Sequence, residues 1–536
     1  MNLSIKNTWL IFYFENNCVN ISIGDIMSRL INHIGSFFPK IQKDFKIYDG
    51  EVFSEVYDGD FYKDIPYSKY INYNLNLPLE NAVFIRDFGA KPNDTSINNA
   101  KYINNAIEKC SNNGGGIVVV DGGNYTSGTI YLKSNVVLYI AKDSSIIASH
   151  NTDDYTDNAL VFADSCENIG VVGPGKICGE GNFFSLAPHL APKTEPFTKT
   201  LDVWDLRQEY RKRIRFPHKS KYGFLMLIKN CKCVKLYNFV LENAAMWTLN
   251  VNSSNDVNVS NVIINNNRHI ANTDGIDICG SSNVIIKNCF VSTADDGIVL
   301  KNNMSIATSG DDGLKIKNNL DVTCKRGMSN IYIHDCEVVS CTNSFKIGTE
   351  TSLDISDVTV ENCKFYLTDI YPAGVSGISI ESCDGANVNN INISDIEMDS
   401  MACPVFIRLC NRNGDNKPEL DGRGKINNIS IKNINAENIE IPIMIMGIPN
   451  QKISDVNLYN FDLKYSHGKD YFDLRFKIPE QEKEYPECNR FRNINAYGVF
   501  VRHAKNIALE NINVKPREKT YRKFKKFIDC ENLSIK

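Results

Sequence analysis

Short runs of alternating β-branched residues return along most of this chain at a fixed interval, and that interval constrains the fold more than any other feature. Asn283-Val284-Ile285-Ile286, Asn330-Ile331-Tyr332-Ile333, Asp357-Val358-Thr359-Val360, Asn428-Ile429-Ser430-Ile431 and Asn506-Ile507-Ala508-Leu509 each read as a short strand opening on Asn or Asp. Val257 and Val284, Ile331 and Val358, and Ile429 and Val456 lie 27 residues apart, and wider gaps mark inserted loops. A fixed period in this range means a solenoid. Because the repeating unit is strand-like and long 3.6-residue periodicity is missing, the expected fold is all-β, a right-handed parallel β-helix. Asn230-Cys231, Asn288-Cys289, Asp335-Cys336 and Asn362-Cys363 recur at one place in the pattern. They predict thiols stacked inside the coil, with Asn or Asp at its corner satisfying turn backbone.

The pattern also sets the domain organisation. Ala100, Ile103, Ala106 and Ile107 share one face of a helix expected over about Thr95 to Cys110, which would cap the open first coil. Gly114-Gly115-Gly116 follows that helix and precedes the strand Ile117-Val118-Val119-Val120. A phosphate loop needs its glycines before a helix, so that reading is set aside. Residues 1–80 lack the repeat and carry aromatic alternations with Asp49-Gly50 and Asp58-Gly59 turn signals; a small β-sandwich-like appendage is expected there, and the β-helix over 81–536.

Charge and cysteine usage narrow the function. A net charge of −4 with no basic stripe argues against a nucleic-acid partner. The apolar run Trp9–Phe14, broken by Glu15, is too short for an export signal, and no segment is long enough to span a membrane. A soluble cytoplasmic protein with its 17 cysteines reduced is the expectation, secretion the alternative. No CxxC or HxxxH spacing points to a metal, and no cofactor is implied.

The unusual chemistry is acidic. Asn272-Thr273-Asp274-Gly275-Ile276-Asp277 is followed by Ala294-Asp295-Asp296-Gly297, and Asp274 and Asp295 are 21 residues apart, about one coil. Strands on neighbouring rungs lie about 4.8 Å apart, so these carboxyls would converge and raise the proton affinity of at least one of them. Glycoside hydrolysis uses such a set, one carboxyl protonating the leaving oxygen and another activating water. A single Asp-Gly is usually a turn cap; the spaced set is not.

Here the chain resembles the family 28 glycoside hydrolases, the polygalacturonase-like pectin-degrading enzymes. The resemblance runs from Arg86-Asp87-Phe88-Gly89-Ala90 through Gly114-Gly115-Gly116, Gly173-Pro174-Gly175-Lys176-Ile177 and the two acidic blocks to Tyr497-Gly498-Val499-Phe500-Val501-Arg502-His503. It implies an inverting single displacement with Asp295 as general acid, Asp274 and Asp296 holding and deprotonating water, no metal, and a pectic oligosaccharide as partner. Two departures bear on the sugar. Thr342-Asn343-Ser344 stands where the family often has Gly-His-Gly, and Arg408-Leu409-Cys410 where it often has Arg-Ile-Lys. Arg408 keeps the two-point geometry suited to a carboxylate, and Lys346 offers a replacement positive charge. Asn272, Lys301, Arg502 and His503 complete the substrate-binding candidates, although Arg502 and His503 are equally suited to capping the last coils. Trp247 reads as a core residue before a sugar platform.

A near-copy of the second block, Gly310-Asp311-Asp312-Gly313, follows 16 residues later. The first copy keeps the one-coil spacing; if the second occupied the cleft, Asp311 and Asp312 would inherit the roles. A galacturonide with exo action is the expected substrate and mode, and the insertion Ser185–Lys221 a candidate wall of the groove. Rhamnogalacturonan hydrolysis, a pectate-lyase-like elimination and a non-catalytic carbohydrate-binding solenoid are the alternatives.

Overall fold

The computed structural model describes residues 3–6, 9–14, 17–22 and 61–536, apart from 76, 185–221, 269, 304–323, 325, 368–373, 413–423, 467–477 and 492–493. The chain divides into two compact units. In the smaller one the strands Leu3–Lys6, Trp9–Phe14 and Asn17–Ser22 form an antiparallel meander.

The larger unit is the right-handed parallel β-helix. Residues spaced by 27 in the sequence are direct register partners across rungs: Val257 with Val284, Ile331 with Val358 and Ile429 with Val456. Their side chains enter one continuous apolar interior, in which Val284, Ile286, Ile331, Ile333, Val358 and Val360 are buried. Corner residues adopt the left-handed backbone that Asn and Asp tolerate better than other side chains, as at Asn283 (φ 55°), Asn330 (φ 59°) and Asn428 (φ 54°). The corner amides also stack, Asn330 Nδ2 donating to Asn283 Oδ1 at 2.7 Å. Cys231, Cys289, Cys336 and Cys363 lie buried beside these corners, as the recurring pairs predict.

The cap is the helix α1 (Ala100–Asn112), which turns Ile103, Ala106, Ile107 and Cys110 onto the first coil. The sequence reading begins the β-helix at residue 81, but residues 61–75 already run along its flank. Tyr62 N donates to Asn265 Oδ1 and Asn261 Nδ2 to the Tyr70 carbonyl, while Ile65, Tyr70 and Ile71 cover Val240, Ile263, Phe290 and Val339. A second difference concerns the thiols: Cys383 and Cys410, on neighbouring rungs with Cα atoms 4.6 Å apart, are joined as a disulfide where the sequence reading expects every cysteine reduced.

One sheet of the solenoid carries the acidic blocks. Its strands β1 (Phe224–Lys229), β2 (Trp247–Asn252), β3 (Ile276–Cys279), β4 (Ile298–Asn302), β5 (Asn343–Thr351), β6 (Gly374–Ser382), β7 (Met401–Leu409), β8 (Ile443–Met446) and β9 (Ala496–Pro516) stack in chain order. Truncating a side chain of the filled interior leaves a cavity the stacked coils cannot close. Ile286→Ala is expected to destabilise the β-helix by roughly 2–5 kcal/mol, read as a lower midpoint in denaturant unfolding.

Candidate active site

The backbone ladder between β3 and β4 brings the acids together. Ile276 pairs with Ile298, so Asp274 lies level with Asp296. Gly275 N donates to the Asp296 carbonyl and Ile276 N to that of Gly297, both at 2.9 Å. The rungs approach so closely at this corner that a Cβ on Gly275 would stand 2.5 Å from the Gly297 carbonyl oxygen, and one on Gly297 would stand 2.7 Å from the Ser344 carbonyl oxygen of the next rung, which explains the glycine after Asp274 and after Asp296. The coil step is therefore 22 residues, and the sequence reading that stacks Asp274 on Asp295 is off by one. Asp295 is half-buried, whereas Asp274 and Asp296 are buried.

Asp295 and Asp296 nevertheless meet on one side chain. The Asp296 amide donates to Asp295 Oδ1 at 3.0 Å, and Thr342 Oγ1 lies 3.3 Å from Asp295 Oδ1 and 2.9 Å from Asp296 Oδ1. That local turn overcomes the alternation that would send adjacent strand residues to opposite faces. Asn343 Nδ2 adds a bond to Asp296 Oδ1 at 2.7 Å, and Lys346 Nζ an ion pair to Oδ2 at 3.0 Å. On the other rung Lys301 Nζ bridges Asp274 Oδ2 at 2.9 Å and Asp277 Oδ1 at 2.7 Å, and lies 4.4 Å from the centre of the Trp247 ring.

These partners separate the proton affinities. Burial pushes the Asp296 carboxyl upward, but Lys346, Lys301 and the Asn343 amide more than offset it, leaving its pKa below the ordinary Asp value. Burial lifts Asp274 well above that value despite Lys301, with Asp277, Asp295 and Asp296 adding repulsion. Asp277 is raised to about 6, again mainly by burial. The two level carboxyls, Asp274 raised and Asp296 lowered, thus differ in proton affinity across one step of the ladder, the separation of roles that acid–base chemistry draws on. Among the described residues no group of three His, Cys, Asp or Glu side chains is arranged to hold a metal.

The binding candidates divide into two groups. Lys301 and Lys346 are at the aspartates, and Asn272 is half-buried in a left-handed backbone (φ 58°) two residues before Asp274. Arg408 is buried with its guanidinium turned onto carbonyls, donating to Gly447 O at 3.2 Å, Glu480 O at 2.6 Å and Gln481 O at 3.1 Å. Arg502 donates to Ile478 O at 2.9 Å and Pro479 O at 3.0 Å, and His503 lies between Asp529 (2.6 Å) and Glu480 (3.2 Å). These three hold a strap, residues 478–491, over the outward face of the sheet. Trp247, expected in the core, is half-buried on that same face against Phe224. Asp311, Asp312 and the insertion Ser185–Lys221 lie outside the described residues.

Several residues that serve the site were not read as such from the sequence. Asp277 lay in view inside the first block, one strand alternation from the Lys301 ammonium it pairs with. Asn343 stands where the family pattern has histidine and supplies its own donor to Asp296. Glu350, held low by Lys301, Arg412 and Lys346 against burial, and Tyr485, whose hydroxyl is 3.4 Å from Lys346 Nζ, carry no spacing signal.

Clustered, oppositely tuned carboxyls on a parallel β-helix define a glycoside hydrolase of the polygalacturonase-like kind. The chain belongs to the glycosyl hydrolases family 28, whose model matches residues 110–477. It is 24% identical over 420 residues to polygalacturonase-2 of Solanum lycopersicum, covering 74% of this chain and 79% of that one. A probable polygalacturonase of Arabidopsis thaliana is 24% identical over 220 residues, 40% of this chain and 42% of that relative, so the match spans less than half of its length. Among solved structures, the family 28 exopolygalacturonase of Yersinia enterocolitica superposes with a TM-score of 0.56 at 18% identity, covering 84% of this chain and 78% of that one.

Because Lys346 holds Asp296 ionised, removing its charge lets the carboxyl take up a proton at higher pH. In Lys346→Met the acid limb of kcat/KM is expected to move to higher pH, as measured by initial rates across a pH series.

Proposed function

We propose that this protein hydrolyses galacturonide linkages of pectic oligosaccharides from a chain end, with inversion at the anomeric carbon. Family membership supports the pectic substrate class. The observation that carries the chemistry is the level pairing of Asp274 with an Asp296 kept ionised by Lys346, Asn343 and Thr342. Water bound between them loses its proton to Asp296 as it attacks. Asp295, more open to solvent than the other two, delivers a proton to the leaving oxygen. The Asp295 and Asp296 carboxyls both reach the one Thr342 hydroxyl, at 3.3 and 2.9 Å, which is closer than the about 6.5–9.5 Å usual between the acid and base of an inverting pair, so the anomer released is the deciding readout.

The strap supports exo action. Ile478, Cys488 and Phe491 pack on Val375, Phe406, Met444 and Phe500, filling the outward face of the sheet along β6–β9. A chain lying along the groove is therefore stopped beyond Lys346, where Tyr485 ends the wall.

In Asp295→Asn, hydrolysis of oligogalacturonides should fall by about 10²–10⁴-fold, the usual weight of a general acid, with reducing ends as the readout. Proton NMR of the first turnover should show the anomer opposite to the substrate's. Retained activity in the variant, a retained anomer or an unsaturated product would overturn the reading.

The wall makes a separate claim. Wild-type enzyme should release small end-products from the first time point, and Arg502→Met, which frees the Ile478 and Pro479 carbonyls, should release a wider range of lengths. Chromatography of early digests that shows mid-length fragments from the wild type would rule out the closed groove.

A further inference from the structure

The hydrolytic machinery leaves one buried acid of the same sheet unused. Glu381, on β6, is 1% exposed and lies on the rung beyond Lys346. Its place is built rather than incidental. Ser379 Oγ donates to Oε1 at 2.7 Å and Thr349 Oγ1 to Oε2 at 3.1 Å. The room for the carboxylate exists because residue 348 is glycine (φ 120°): a Cβ there would stand 2.9 Å from Glu381 Oε2. On its far side Glu381 is the register partner of Arg408, whose guanidinium holds the strap at Glu480 and Gln481. The charges facing it are Lys346 on β5, Arg408 on β7 and Asp296 ahead of β4. Along the sheet they alternate as Asp296, Lys346, Glu381 and Arg408.

We propose that Glu381 is a positioning residue of the hydrolytic site, a buried charge on the strand next to the Lys346–Asp296 pair that sets how strongly Asp296 holds the proton it takes from water. The proposal rests on Asp296 being the base. In a buried site the fields of neighbouring charges add, so the negative charge of Glu381 opposes that of the Lys346 ammonium at Asp296. With Glu381 ionised, its repulsion offsets part of the Lys346 attraction, and Asp296 is the stronger base. With Glu381 neutral, Asp296 feels the full ammonium charge and its proton affinity drops. Burial pushes Glu381 up to about 7, against Lys346 and the two hydroxyl donors, so this adjustment falls in the neutral range. The same carboxylate neighbours Arg408, linking the base to the strap.

The test is Glu381→Gln, which keeps the shape and removes the charge. The expected result is a kcat lowered roughly tenfold with KM little changed, since the interaction serves the transition state. The acid limb of kcat should move to lower pH by about half a unit or more, opposite to the shift in Lys346→Met. A role confined to packing would lower the yield of folded enzyme without moving that limb. Thr349→Val, which removes one donor and leaves the charge, should raise the pH at which Glu381 ionises and carry the kinetic transition near neutrality upward with it. A readout independent of the sugar is the carboxyl carbon of Asp296, assigned by its loss in Asp296→Asn. Under carbon-13 NMR it should titrate at lower pH in Glu381→Gln. An unmoved Asp296 titration, or a limb that stays in place in both variants, overturns the proposal. Full activity in Asp295→Asn would instead fail the assignment of the general acid and leave the Asp296 titration to decide the role of Glu381.

Discussion

Buried carboxylates repel, and the site holds because two buried ammonium groups stand among them. Lys301 spans Asp274 and Asp277, and Lys346 closes on Asp296. Neither lysine is on the surface, and each comes from an outward position of the strand one rung after the acids it serves. An unpaired acid buried there would take up a proton or draw in water; an ammonium partner opposes that and fixes the direction of the carboxyl. The proton affinities within the cluster then follow from how far burial is offset at each carboxyl by the ammonium beside it.

The pairing depends on the register of the solenoid. Parallel stacking delivers each residue to the same place on the sheet coil after coil, so a cation on one strand lies over an anion on its neighbour without any loop having to be shaped for the purpose. The close approach of Gly275 to Gly297 sharpens the corner at which the acids emerge. The family 28 match covers this stretch, and the catalytic rungs lie wholly inside it.

Much of this was legible in the sequence because a β-helix repeats its instructions. The 27-residue spacing of Val257 and Val284 named register partners outright, and Asn283 and Asn330 announced the corners they occupy. The acids were readable as a set, but a count of 21 residues placed Asp274 against Asp295, because coil lengths vary where strands are short and only the hydrogen-bond ladder fixes the step. Arg408 and Arg502 could not be assigned from their patterns. A guanidinium suits a carboxylate and a row of carbonyls equally, and the strap that presents those carbonyls has no repeat to reveal it. Glu381 and Tyr485 were hidden for the same reason: their relation to Lys346 spans 35 and 139 residues and follows no period.

The strap has a consequence for how the molecule is put together. Tyr485 reaches the acidic cluster through Lys346 yet lies 211 residues beyond Asp274, and the strap docks on strands both before and after it in the chain. The acidic rungs precede the strap in the chain, but the contacts that hold the strap come from β7 and from Arg502 of β9. The strap therefore reaches its full set of contacts only once β9 has been made, and until then the apolar outward face of β6 to β8 lacks them. The coil of β9 thus serves as more than scaffold: the strap beside the acidic rungs is held in place through it.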